Sequence, residues 1–267
     1  MKVGLMLPLG RPWASDEADR IERALALGYS SLWLQEWPVG VGPPGSRDHG
    51  SGHDPLFYAS SLSREYGARG AQVGLAVIRA DYRHPYITAR AVVSAQTFGG
   101  GYPLLLGLGM ETKTPEAAEQ LAQTWQVVHS CLYAEQPDAF LLPAGFAPPR
   151  MFLASGKLDL WSATNYLADG WLTTRFDPRQ ISSIAEPIRQ RVPHLDIIVQ
   201  VFWRIDLVEP DALYRGRGDV LQIGEKRVRE LVRLWREAGV SGIISYAPET
   251  PGEDQLKLVA DIMQEEG

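Results

Sequence analysis

Short apolar runs alternate with amphipathic stretches along almost the whole chain. The runs lie at residues 3–9, 31–35, 72–78, 104–109, 151–156, 170–174, 197–205 and 242–247. Most are apolar at successive positions, as expected of strands that are buried on both faces. Each run is followed by a stretch in which apolar residues recur at helical spacing. The pattern therefore predicts eight strand–helix pairs.

Residues that begin and end helices support this reading. The first predicted helix has Ser15 as its N-cap and stops at Gly28. The second begins with Asp54 as N-cap and Pro55 at the first helical position, and the third begins at Pro85. Eight such units in 267 residues are typical of a closed (β/α)8 TIM barrel in the α/β class, rather than of an open doubly wound sheet. No linker divides the chain, so we expect one domain over residues 1–267.

Composition narrows the possible partners and locations. Hydrophobic residues make up 45% of the chain, enough for one large core. The net charge is −6 and no basic stripe is present, which argues against a nucleic-acid partner. No run approaches the roughly 18 apolar residues of a membrane span, and no signal-peptide pattern opens the sequence, so we expect a cytoplasmic protein. The single cysteine, Cys131, excludes an intrachain disulfide and is expected to be buried in a helix.

Several motifs of known chemistry are absent or incomplete. Residues 40–45 have the spacing GxGxxG, but Pro43 and Pro44 supply no backbone N–H, which argues against a dinucleotide site and favours a lid. Carboxylates at predicted strand ends are single, at Glu36 and Glu111, which argues against glycoside hydrolysis by a carboxylate pair. No metal site is expected, because zinc-ligand spacing is absent among the five histidines, His49, His53, His84, His129 and His194.

Small residues and hydrogen-bond donors occur where predicted strand five turns into a helix. Ser155, Gly156 and Lys157 would bring backbone N–H groups, a hydroxyl and an ammonium to the positive end of that helix. Such a turn could hold a phosphate, or it could be only a tight turn with a helix cap. Tryptophans near strand ends could wall a planar ring or anchor the core; they are Trp13, Trp37 and Trp203.

Three segments together resemble the bacterial luciferase-like family of flavin- and deazaflavin-dependent oxidoreductases. The first is the opening strand and helix through ALALGYSSLWLQE, which ends at Glu36. The second is RHPYITARAVVSAQTFGGGYPLLLGLGM at 83–110, similar to the family signature in which His-Pro starts the third helix and a glycine turn leads into strand four. The third is LASGKLDLWSATNYLADGW at 153–171. The short chain is most similar to a compact subgroup of that family.

The resemblance implies a flavin lying across the C-terminal mouth of the barrel. It places the phosphate at Ser155, Gly156 and Lys157, and it implies that the cofactor ring is met by Ala76 and Val77, joined by a cis peptide, and bordered by Gly109 and Met110. It implies FMN in a monooxygenase reaction, because Lys157 and the compact subgroup fit FMN. The alternative is the deazaflavin F420 in hydride transfer. It also implies a small-molecule substrate, a flavin reductase as partner, and a homodimer formed through early helices such as residues 56–67.

Two departures from the family pattern bear on catalysis. Trp37 stands where many relatives have a histidine that in luciferases takes part in catalysis, and an indole cannot shuttle protons. We expect Glu36 and Trp37 to line the substrate part of the cavity. Proton transfer would then fall to the flavin chemistry itself or to another group, with Glu36, His49, His53 and Arg79 as unranked candidates. Tyr102 and Pro103 replace the arginine that usually follows the glycine turn. A barrel that holds flavin without turnover is the remaining alternative.

Overall fold

The structure is a computed structural model that describes residues 1–7, 15–37, 53–110, 114–135, 140–215, 220–246 and 253–265. Its strands are β1 Lys2–Met6, β2 Ser31–Leu34, β3 Gln72–Arg79, β4 Leu105–Gly109, β5 Arg150–Leu153, β6 Gly170–Thr173, β7 Asp196–Asp206, β8 Leu213–Arg215, β9 Leu221–Gly224 and β10 Gly242–Tyr246. Its α-helices are α1 Ser15–Ala26, α2 Pro55–Tyr66, α3 Pro85–Phe98, α4 Pro115–Leu132, α5 Leu158–Ala163, α6 Pro178–Arg189, α7 Glu225–Glu237 and α8 Glu253–Glu265.

Eight parallel strands close into a barrel. Strands β1 to β7 pair in sequence order, β7 pairs with β10, and β10 pairs with β1. Each of these strands is followed by a helix that covers the outside of the sheet, with α7 reached after the two extra strands β8 and β9. The predicted (β/α)8 barrel in a single domain is confirmed. None of the described helices is long and apolar enough to cross a bilayer.

Apolar side chains pack against one another inside the barrel lumen. The inner cluster lies inside the ring of strands and consists of Met6, Trp33, Ala76, Leu105, Phe152, Leu172, Ile244 and Tyr246. Glycines make room for the Trp33 indole, since a Cβ at Gly4 or Gly74 would collide with the ring. The indole Nε1 donates to Ser31 Oγ at 2.8 Å. The cavity at the N-terminal ends of the strands is only about 70 Å3, so the space for a ligand of cofactor size lies toward their C-terminal ends.

Helix starts follow the predicted caps closely. Asp54 caps α2 by accepting a hydrogen bond from Leu56 N at 2.8 Å, and Pro85 is the first residue of α3. The predicted burial of Cys131 in α4 is also confirmed, with 4% of its surface exposed. The first helix begins at Ser15 itself, so Ser15 is a helical residue rather than the predicted residue before the helix.

Two short strands that the sequence pattern does not predict follow β7. Strand β7 itself extends to Asp206, and β8 follows at Leu213–Arg215. Strand β9 pairs in parallel with the end of β7 and antiparallel with β8. The two short strands therefore extend the sheet beyond the rim of the barrel. Their lengths of three and four residues are too small to give a recognisable period.

Candidate functional site

A cavity of about 730 Å3 opens at the C-terminal ends of the barrel strands. All nine residues that the sequence analysis assigns to cofactor or substrate line it: Glu36, Trp37, Ala76, Val77, Gly109, Met110, Ser155, Gly156 and Lys157. The structure also places here residues that the sequence analysis did not name: Gln35, Ala154, Trp171, Leu172, Thr173, Thr174, Arg175 and Gln200. The fold thus brings the predicted residues together, while their binding roles remain predictions.

The end of β3 forms one wall of this cavity. The peptide bond between Ala76 and Val77 is cis, as the family resemblance implies. Around it the pairing of β3 with β4 shifts register, between Leu75 and Ile78. On the side of β2, Glu36 N donates a hydrogen bond to Val77 O at 3.0 Å. The wall is therefore apolar, and a backbone hydrogen bond joins it to Glu36, which follows β2.

Glu36 lines the cavity, but other protein groups already use both of its carboxylate oxygens. Oε1 forms an ion pair with Arg83 Nη2, and Oε2 accepts a hydrogen bond from Arg79 N at 2.8 Å. Arg83 also pairs with Asp54, the cap of α2, at 2.9 Å. Burial alone would lower the pKa of Arg83, but the two carboxylates outweigh it and raise that pKa above its ordinary value. The network fixes the end of β3 against the start of α2.

The turn of residues 155–157 faces the cavity from the end of β5. Lys157 N donates to Ser155 Oγ at 3.2 Å, and Ser155 O accepts from the Trp161 indole at 2.9 Å. In the described part of the chain, no group accepts a hydrogen bond from the amides of Ser155 and Gly156. A Cβ at Gly156 would lie 3.1 Å from the Trp171 ring, so a side chain there would push the turn. One of the three amides is therefore already used, and the other two have no acceptor among the described residues.

Three cationic side chains surround the mouth, at the ends of β3, β5 and β6. They are Arg79, Lys157 and Arg175. Arg79 pairs with Asp81 at 2.6 Å and lies over the Tyr82 ring, while Arg175 bonds Gln180 at 3.2 Å. The sequence signal for Arg175 is the run TTR directly after an apolar strand, which the sequence analysis did not interpret.

The floor and the far wall of the cavity are built by β2 and β7. Gln200 Nε2 donates to Gln35 Oε1 at 2.5 Å. Above this pair the Trp37 and Phe202 rings meet edge to face, with centroids 6.5 Å apart. Phe202 in turn contacts Tyr246 at 5.5 Å. The predicted role of Trp37 in shaping the cavity is consistent with this position.

Other candidate residues lie elsewhere. His84 caps α3 and stacks on Tyr86, and His129 is buried on α4, where burial lowers its pKa. Trp203 is a core anchor rather than a cavity wall, since its Nε1 donates to Ser245 Oγ at 2.9 Å in the outer core. Within the described ranges, no three His, Cys, Asp or Glu side chains are grouped to hold a metal ion. Outside those ranges lie Trp13, residues 40–45, His49 and Glu111.

Comparison with solved structures identifies the fold. An F420-dependent secondary alcohol dehydrogenase in complex with an F420–acetone adduct gives a TM-score of 0.74 at 11% identity, over 98% of this chain and 97% of that one. EDTA monooxygenase from Chelativorans sp. BNC1 gives 0.72 at 12% identity, over 100% and 94%. Long-chain alkane monooxygenase gives 0.65 at 11% identity, over 99% and 91%. The chain has the fold of the luciferase-like oxidoreductases.

The sequence itself is distant from characterised proteins. No family model matches it, and no curated protein matches it. At 11–12% identity the structural likeness carries the fold alone, so the assignment of a ligand must come from the cavity.

The cavity has the properties that a phosphate-bearing ring cofactor requires. Its volume of about 730 Å3 lies in the range of roughly 300–1,000 Å3 that is usual for cofactor and ligand sites. Its walls are apolar at Ala76 and Val77, where a planar ring would pack. Its mouth carries three cations, while its one described carboxylate, Glu36, is compensated by Arg83. Arg79 is paired with Asp81, and the cationic side chains of Lys157 and Arg175 at the other strand ends suit an anionic phosphate group.

Proposed function

We propose that this protein is a flavin-dependent oxidoreductase that uses FMN, with a monooxygenase-type reaction on a small organic substrate. One observation carries the proposal. A single cavity combines the apolar wall at Ala76 and Val77 with the donor-rich turn of residues 155–157, on the two strands that flank β4. The first suits a ring and the second suits a phosphate, at the mouth where barrel enzymes bind their ligands.

Each predicted residue has a physical task in this proposal. The amides of Ser155 and Gly156 and the ammonium of Lys157 would hold the phosphate. Gly109 allows close approach between β4 and its neighbours, because a Cβ there would lie 2.7 Å from that of Ala154. Met110 would border the cofactor from the end of β4. FMN would supply the redox chemistry, while the protein orients the reactants and excludes water.

The substrate would occupy the side of the cavity bounded by β2 and β7. Glu36 and Trp37 lie at the end of β2, and Phe202 faces Trp37 from β7. Two aromatic rings in edge contact favour a substrate with an apolar part. The Glu36 carboxylate acts mainly through the strand that it positions, because both of its oxygens already accept hydrogen bonds.

Hydride transfer with F420 is the second candidate function. The fold is shared with an F420-dependent secondary alcohol dehydrogenase, and F420 also carries a planar ring and a phosphate. A barrel that holds flavin without turnover is a third candidate. It is favoured by Trp37 at the position where the family resemblance implies a histidine.

Titration of the purified chain with FMN, riboflavin and F420 tests the assignment. We expect FMN to bind, and Lys157→Gln to weaken FMN about tenfold, or ~1.4 kcal/mol, because a charge-assisted contact to phosphate is lost. Riboflavin, which has no phosphate, should bind both forms equally. Lys257→Gln, on the exposed face of α8, is the matched control. Binding of neither FMN nor F420 would refute the proposal.

Oxygen uptake then separates the three candidates. NADH-driven oxygen consumption above that of free FMN supports the oxygenase. Reduction of F420 by a small alcohol in the absence of oxygen supports hydride transfer. Bound FMN with neither activity supports a binding protein. The first assay is run with and without an added flavin reductase, because such a reductase is the proposed source of reduced flavin.

A further inference from the structure

Two amide side chains form a hydrogen-bonded pair across the lumen. On β7, Ile198 and Phe202 point into the inner cluster, whereas Val199 and Val201 point outward. Gln200 therefore points inward, as does Gln35 two residues beyond Trp33 at the end of β2. The two meet at 2.5 Å although 165 positions separate them in the sequence. The pair forms the floor of the cavity.

Counting donors and acceptors shows that the pair has unused capacity. Each glutamine amide offers an NH2 group and a carbonyl oxygen, and their mutual hydrogen bond uses one donor and one acceptor. Whichever way the two amides are oriented, one NH2 group and one carbonyl oxygen take no part in it. No other described residue bonds either side-chain amide. The pair therefore displays a donor and an acceptor toward the cavity.

The residues around the glutamine pair determine what kind of ligand group can bind its unused donor and acceptor. The inner cluster of apolar residues occupies the same lumen as the pair, and two of its members, Ala76 and Leu172, line the same cavity. An ionic ligand group would lose its hydration there without a counter-charge, because the cations of the cavity belong to the strand ends at the mouth. A neutral group that combines a donor with an acceptor would satisfy both amides at once.

We propose that the Gln35–Gln200 pair binds a neutral edge in which an N–H lies beside a C=O, as in a cyclic imide, a lactam or a carboxamide. Such an edge belongs to the pyrimidine part of a flavin or deazaflavin, and it can also belong to the substrate. The cofactor source rests on the proposed function, whereas recognition of the edge itself does not.

The test uses FMN, F420 and succinimide as probes of the wild type and of Gln35→Leu/Gln200→Leu. The double change removes both amides together, so neither is left unpaired in an apolar site. Gln123→Leu, on the exposed face of α4, is the surface control, and thermal melts report whether each variant folds. In the wild type, side-chain amide NMR signals of the two glutamines are followed as succinimide is added. N-methylsuccinimide, which has no N–H, is the matched ligand control. This measurement needs no variant.

A fall of tenfold or more in FMN or F420 affinity in the double variant assigns the edge to the cofactor. If the double variant keeps its cofactor affinity, and succinimide shifts the glutamine signals of the FMN-loaded wild type, the edge belongs to the substrate. If the wild type binds neither cofactor, the proposed function fails, and succinimide added to the free protein still tests the pair. Two results together overturn the inference. The double variant binds the cofactor within twofold of wild type, and the glutamine signals of the wild type respond equally to succinimide and to N-methylsuccinimide.

Discussion

Breaking the ion pair between Arg83 and Glu36 should destabilise the protein measurably. Arg83→Met keeps an unbranched apolar stem but no guanidinium, and leaves the Glu36 carboxylate with one hydrogen bond, from Arg79 N. The exposed fractions of the two side chains are 17% and 8%, so water compensates little of the loss. A fully buried pair costs about 3–5 kcal/mol when one partner is removed, and an exposed pair about 0.2–1 kcal/mol. We therefore expect a loss of about 2–3 kcal/mol.

The assay is thermal unfolding followed by circular dichroism, with urea unfolding as a second measure. A loss of this size corresponds to a fall in Tm of roughly 4–6 °C for a chain of this length. The matched control is Arg69→Met, because Arg69 makes a bidentate ion pair with Glu22 at 2.6 and 2.7 Å. Those side chains are 49% and 47% exposed, so the control should lower the Tm much less than Arg83→Met does.

The double variant Glu36→Gln/Arg83→Met completes the cycle. Removing both charges should recover part of the stability lost in Arg83→Met, because no uncompensated carboxylate remains. Equal Tm changes for Arg83→Met and Arg69→Met would refute the argument, since burial would then make no difference. A double variant no more stable than Arg83→Met would refute the claim that the lone carboxylate is the cause.

Two further predictions concern assembly and pH. Phe57 on α2 and Phe98 at the end of α3 are 79% and 72% exposed, and we propose that they lie in the homodimer interface. The double variant Phe57→Asp/Phe98→Asp should reduce the mass measured by light scattering from that of a dimer to the monomer's 29.6 kDa. A wild type that is already monomeric would contradict this proposal. Burial, aided by Asp169, raises the pKa of Tyr133 from 10.0 to about 12. Its contribution to stability should be complete below pH 10 and decline as pH rises toward 12, because the unfolded tyrosine ionises first. Tyr133→Phe should show a shallower decline of Tm over that range, whereas parallel profiles would exclude the effect.

The barrel could be predicted from sequence because its rules are local. A parallel strand covered on both sides must be apolar at successive positions, and the helix after it must carry one apolar face. These constraints apply within each run, so eight units could be recognised without knowing which strands pair. The position of the site followed as well, because residues that end parallel strands meet at one rim.

The interactions inside the site could not be predicted in the same way. Glu36 stands alone at a strand end in the sequence, and its partner Arg83 lies 47 positions away. Gln35 follows β2 and Gln200 lies in β7 across the lumen, and the two are 165 positions apart. Whether a polar side chain contacts a ligand or another side chain depends on how the closed barrel brings distant strands together. The local spacing of apolar residues in the sequence carries no information about such contacts. The strands β8 and β9 were missed for the opposite reason, because three or four residues show too little pattern.

Substitution of Trp37 by histidine tests whether this position takes part in proton transfer. In the wild type the indole packs against Phe202, and the one carboxylate among the described lining residues is held by Arg83. If no side chain in the cavity titrates near neutrality, the reoxidation of bound reduced FMN by oxygen should vary with pH between about 5.5 and 8.5 only through the ionisation of the reduced flavin itself. An imidazole at position 37 has an ordinary pKa of about 6.5. Trp37→His should therefore give the reoxidation rate a further transition centred near that pH, measured by stopped-flow absorbance.

The control for packing is Trp37→Phe, which keeps an aromatic ring beside Phe202 and adds no titratable group. Its rate should vary with pH only as that of the wild type does. A histidine variant that behaves like the phenylalanine variant would show that position 37 is too far from the reacting atoms to exchange protons with them. A wild type that already shows the transition would place the proton carrier elsewhere, and His49 and His53 would be the next residues to replace. In either case Trp37 would act only as a wall, because its indole gives the cavity shape without supplying a proton at neutral pH.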